Sequence, residues 1–188
     1  MDTIWWVVIA VAAVVVVVVV ALVAQAYARS QRRAGLQDRY GSEYDRTVDS
    51  AGSPRKAERE LAEREKMHEQ LDIRPLSDDA RDRFTADWQR AEGRFVDDPE
   101  LAARDADRIV RDVLVERGYP SDDFDSQAAA VSVDHPKAVQ RYRHGHEMVH
   151  GNGESGDERT ENLRKAMVDF REVFAELVEP EREPAARS

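Results

Sequence analysis

Residues 4–24 form one stretch of twenty-one positions without a charged side chain, and Val14–Val20 is an unbroken valine run. Beyond it the apolar residues thin to single positions four apart, Leu36, Tyr40, Tyr44 and Val48, the spacing of one face of a short amphipathic helix. Gly41 and Ala51-Gly52-Ser53 interrupt that face. Ser53-Pro54 then reads as an N-cap followed by proline at the first helical position. The segment from Arg55 to Gln70 is charged nearly all round, with Lys56–Glu60 and Glu60–Arg64 at helical spacing. Its apolar seam is only Ala57, Leu61 and Leu71, which predicts a solvated spacer helix.

After Ile73-Arg74-Pro75-Leu76 the pattern becomes that of a folded helical domain. Ser77, followed by Asp78 and Asp79, opens a helix whose Phe84, Trp88, Ala91 and Phe95 share a face. Asp98-Pro99 opens another, with Leu101, Ile109, Val110, Val113 and Leu114 expected inward and Gly118 as its stop. Tyr119-Pro120-Ser121 turns the chain into a short helix from Asp122 to Val131. Asp134-His135-Pro136 is expected to cap a helix running to about His150, where Gly151-Asn152-Gly153 follows. Leu163, Met167, Phe170, Phe174 and Leu177 form the stripe of a last helix that Pro180 ends. No segment alternates with the period of a strand. The expected fold class is all-α: an N-terminal single transmembrane helix, a charged spacer helix and a small helical bundle. The expected divisions are 1–28 anchor, 29–72 juxtamembrane linker and spacer, 73–178 helical domain and 179–188 disordered tail.

A bilayer core takes about 20 apolar residues in a helix, and lipid forces a valine run to be helical because no water satisfies its backbone. Ile4, Trp5, Trp6, Val14, Val20 and Ala24 are the membrane-spanning candidates, with Trp5 and Trp6 at one interface and Tyr27 at the other. Arg29, Arg32 and Arg33 follow the run while only Asp2 precedes it, so the positive-inside rule puts the N-terminus outside and the C-terminal domain in the cytoplasm. The alternative is a secreted domain cleaved after Ala24-Gln25-Ala26; against it, the n-region has no positive side chain and the apolar run exceeds the ~7–15 residues of a signal sequence.

Charge sharpens this picture. The net charge is -10, yet residues 29–56 carry 7 basic against 4 acidic side chains and residues 57–188 carry 21 against 33. An acidic domain does not attract phosphate, which excludes nucleic acid as a partner. A basic stalk suits the surface of an anionic bilayer. With 0 Cys the chain has neither disulfides nor thiolate ligands.

One motif carries chemistry. His146-Glu147-Met148-Val149-His150 has the zinc-peptidase spacing: two histidines one helical turn apart can share a metal while Glu147 activates its water. Such an enzyme needs a third ligand and a strand to hold its peptide, and glycines directly after His150 predict a frayed last turn. Val139, Tyr142, His146 and Val149 also follow core spacing, so His146 can simply border the apolar face. The expectation is therefore no cofactor and no catalysis, with zinc binding through His146 and His150 and catalysis by Glu147 as the alternative, and an adventitious surface metal site as another. Ser132, Asp134 and His135 have the residue types of a hydrolase triad but stand too close in sequence for its geometry. Asp122, Asp123 and Asp125 resemble half a calcium loop without its glycine or terminal glutamate.

Several segments stand out along the domain: Leu71–Leu76, Arg94-Phe95-Val96-Asp97-Asp98-Pro99, Arg117-Gly118-Tyr119-Pro120 with Asp123-Phe124, Ser132-Val133-Asp134-His135-Pro136, and Tyr142-Arg143. This set resembles an uncharacterised family of bacterial, actinobacterial-type membrane-anchored proteins, and the resemblance covers most of the soluble region. It implies no particular activity. Arg74, Tyr119, Asp134 and His135 are the candidates for a functional surface. We read the chain as a single-pass membrane protein whose helical domain binds another protein and whose other partner is the lipid bilayer.

Overall fold

The computed structural model describes the backbone of residues 2–151 and 156–179, and side chains from residue 16 onward within them, apart from residues 28, 29 and 32. Its described residues form eight helices: α1 (Asp2–Tyr40), α2 (Ser42–Ala51), α3 (Pro54–His68), α4 (Asp78–Arg94), α5 (Pro99–Glu116), α6 (Phe124–Asp134), α7 (Ala138–His150) and α8 (Asp157–Val178). The fold is an all-α helical bundle. Among the residues whose side chains are described, which begin within the charge-free run, no helix is long and apolar enough to cross a membrane. The side chains of Ile4, Trp5, Trp6 and Val14 lie outside the described residues, as does most of the expected tail; Val20 and Ala24 are exposed on α1.

Local signals place most helix starts as expected. Ser77 accepts the Ala80 amide, Asp98 the Leu101 amide and Asp123 the Ser126 amide, each satisfying one of the donors a helix start leaves open. The start of α7 differs. Asp134 ends α6 instead of capping α7, whose N-cap position is Lys137. The Asp134 carboxylate is engaged elsewhere: it accepts from His68 Nε2 at 2.6 Å and from the Tyr119 hydroxyl at 3.0 Å.

Helix α8 packs its apolar stripe against α7 and α5. It is antiparallel to α7, because Arg141 meets Glu172, His144 meets Asp169 and His135 meets Glu176. It is parallel to α5, because Glu100 meets Arg159 near their starts and Arg117 reaches the Leu177 carbonyl near their ends. Trp88 of α4 stacks on Phe174 with ring centroids 4.8 Å apart, and the core continues through Phe84, Ile109, Val113, Phe170 and Leu177. Leu101, expected inward, is 44% exposed, and the buried face of α5 begins with Ala102, Ala103 and Ala106. Small side chains there let α5 lie close to its neighbours, which turns Leu101, one position earlier, outward.

Residues 54–68 are more than a solvated spacer. Ala57 and Leu61 are fully buried, and α3 lies against α6. Tyr40, Tyr44 and Leu61, flanked by Leu36 and Val48, make a second small core, so the predicted face of four-residue spacing is real although Gly41 divides it between α1 and α2. The two cores are tied by one buried acid: Glu43 Oε1 accepts from Arg64 of α3 at 3.0 Å and from Arg143 of α7 at 3.2 Å.

Candidate functional site

The two motif histidines turn to the same buried carboxylate. On α7, His146 and His150 are one turn apart and face α5, where Asp107 is only 3% exposed at its side chain. His146 Nδ1 donates to Asp107 Oδ1 at 3.0 Å, and His150 Nε2 donates to Oδ2 at 3.0 Å. Arg111 Nη2, one turn along α5, lies 3.3 Å from Oδ2. Burial alone would push the Asp107 carboxyl up, but the hydrogen bonds from His146 and His150 and the nearby positive charge outweigh it and hold it below the ordinary range. Burial raises the neighbouring Tyr142 phenol, and the Asp107 charge raises it further; its hydroxyl donates to Gln127 Oε1 at 2.8 Å.

The surroundings fix these rings. Phe124, the first residue of α6, stacks on His146 with centroids 3.7 Å apart and planes 8° apart. Gly145 allows α7 its close approach to α8: a Cβ there would stand 2.8 Å from Phe170 Cε1. The last turn of α7 is held as well, contrary to the expected fraying. Arg159 of α8 donates to the Met148 and Val149 carbonyls at 2.6 and 2.9 Å while pairing with Glu100, which satisfies acceptors that a helix end leaves open. That pairing holds the Glu100 carboxyl below the usual range. Glu147 is exposed.

Chemically, this is a donor set of two imidazoles and one carboxylate, with ligand atoms all within 4.8 Å of one another. Asp107 is the residue the sequence did not single out. It falls in register with Ala103, Val110 and Leu114 on the buried face of α5, and a charge on an apolar stripe was the available signal.

The other candidates separate. Tyr119 is buried and joined to Asp134 and, through it, to His68. His135 pairs with Glu176 at 2.7 Å, Ser132 donates to the Ala129 carbonyl, and no triad forms among these residues. Arg74 is exposed, and its backbone amide donates to the Arg117 carbonyl. Asp123 is spent as a cap and Asp125 faces Arg143 at 3.5 Å. The Arg117–Pro120 segment is a junction: Arg117 reaches α8, Tyr119 reaches α6, and the Pro120 carbonyl accepts from Gln127. A cleft of about 820 Å³ lies nearby, between α3 and α6, where Met67, Leu71, Ala129 and Ala130 are flanked by Arg64 and Arg143. No family model, no curated protein and no solved structure matches this chain.

Proposed function

We propose that this protein is a single-pass membrane-anchored helical module that binds another protein at the cytoplasmic face and is not an enzyme. The observation that carries it is the continuity of α1, one helix from Asp2 to Tyr40 that contains the charge-free run and ends in the folded domain. At 1.5 Å per residue the run 4–24 spans about 30 Å, the thickness of a bilayer core. At its other end Arg39 and Tyr40 both donate to Glu65 of α3, at 2.7 and 2.9 Å. Such an anchor enters the domain without a flexible linker and fixes how the domain is presented. The basic residues after the run favour the cytoplasmic orientation.

The cleft between α3 and α6 supports a binding role, since Met67 is 60% exposed at its edge and apolar residues flanked by charge suit a protein partner. A peptidase would also require an edge along which its substrate extends, and the described residues contain no strand.

Two measurements test this reading. A C-terminal reporter active only outside the cytoplasm should stay silent, and an active reporter refutes the orientation. A photo-crosslinker at position 67 should trap a discrete partner in native membranes, whereas one at Arg83 should not. Recovery of lipid and abundant proteins alone from both positions refutes the interaction module.

A further inference from the structure

Asp107 is hard to explain as a packing residue. It sits on the apolar face of α5 with its side chain 3% exposed, where a charge is tolerated only when it is partnered. Two imidazoles from α7 converge on its two oxygens, each at 3.0 Å. We propose that Asp107, His146 and His150 form a binding site for a single divalent cation of the zinc class.

The donor set is the first argument. Two neutral imidazoles and one carboxylate suit zinc and its borderline neighbours, whereas calcium and magnesium take oxygen alone. The chain has 0 Cys, so no thiolate competes for the ion.

Geometry is the second. Bonds of ~2.0–2.1 Å to nitrogen and oxygen place the ligand atoms of a tetrahedral zinc about 3.3 Å apart. The present histidine–carboxylate contacts of 3.0 Å lie close to that spacing, and one ligand atom from each of the three residues lies within 4.8 Å of the others. The scaffold is already ordered. His146 is held by its stack on Phe124, and the turn carrying His150 is held by Arg159. His150 is 48% exposed, which supplies an entry path. Three protein ligands leave a fourth position for water or for a partner's side chain. Arg111 Nη2, 3.3 Å from Oδ2, is an opposing charge. As its side chain is 42% exposed, it can swing toward solvent when the ion enters.

Binding would replace two hydrogen bonds between α5 and α7 by metal–ligand bonds. Each imidazole would turn a ring lone pair to the ion and carry its N–H on the other ring nitrogen. The site is independent of the anchor and of the cleft, so it stands or falls apart from the proposed interaction role.

The test uses the full chain in detergent micelles, carrying an affinity tag without histidine, stripped by a chelator and titrated with zinc against a competing indicator. The expected result is one zinc per chain. His150→Ala and Asp107→Asn should each weaken binding at least ~100-fold, because either removes one of only three ligands. His144→Ala should leave the affinity unchanged, since His144 pairs with Asp169 of α8. Cobalt substitution should give the visible absorption of a four-coordinate site, absent in His150→Ala. The exposure of His150 keeps that variant folded, which circular dichroism verifies, so a failure of Asp107→Asn to fold does not remove the test. No saturable binding overturns the proposal. So does zinc binding that survives His150→Ala, or that falls equally in His144→Ala, which would mark adventitious histidine density.

Discussion

Gly118→Ala isolates the junction after α5. Gly118 has φ +100°, and the amides of Gly118 and Tyr119 donate back to the Val115 and Leu114 carbonyls at 2.9 and 3.0 Å. This is the paired bonding of a Schellman end, which needs a left-handed residue at the position Gly118 holds. The chain segment entering α4 crosses directly over it: a Cβ on residue 118 would lie 2.3 Å from the Asp72 carbonyl oxygen and 3.0 Å from its carbon. Alanine therefore meets two costs. The left-handed backbone costs about 1–2 kcal/mol, and forcing backbone away from the new methyl costs about 1–3 kcal/mol more. The crossing strand of chain has little freedom to retreat, because the Arg74 amide is bonded to the Arg117 carbonyl at 2.9 Å. Together these give about 2–5 kcal/mol, or roughly a 5–15 °C fall in melting temperature for a chain of this size. Thermal unfolding of the full chain in micelles, followed by far-ultraviolet circular dichroism, measures it. Gly93→Ala is the control: exposed in α4 with open space around it, it should stabilise by about 0.5–1 kcal/mol. A Gly118→Ala melting temperature within about 2 °C of the parent would refute both the conformational requirement and the close approach.

Three further outcomes follow from particular contacts. Glu43→Ala should destabilise by about 3–5 kcal/mol, because it leaves Arg64 and Arg143 facing each other with their shared acid gone; urea unfolding reads the loss, and a change under ~1 kcal/mol contradicts the buried triad. Trp88→Ala should cost about 3–5 kcal/mol by opening a cavity against Phe174, and the same denaturant series checks it. The Glu100 carboxyl, held low by Arg159, makes its contribution above the ordinary carboxylate range near ~4.3 and loses it as pH falls through the lowered folded value. Glu100 is 44% exposed at its side chain, so the effect is under about 1 kcal/mol. The acid-side fall in stability should be shallower in Glu100→Gln, and identical pH profiles would remove the pair from the account.

Much of the architecture was legible along the chain because it depends on local chemistry. Ser77 and Asp98 start helices with their own side-chain oxygens, Gly118 stops one through its own backbone angle, and the stripe from Leu163 to Leu177 is buried because helical periodicity leaves no other face for it. The charge-free run at residues 4–24 is likewise a property of consecutive residues. Tertiary structure decided whatever depends on a partner distant in sequence. Asp134 resembles a cap until His68 and Tyr119 approach it from 66 and 15 residues away. All five histidines of the chain contact carboxylates, yet nothing in their spacing names those partners. The histidines of α7 announced a shared ligand through their one-turn separation. Asp107 became visible as its counterpart only when α5 was laid beside α7, because packing decides which of many acids is buried opposite a given ring.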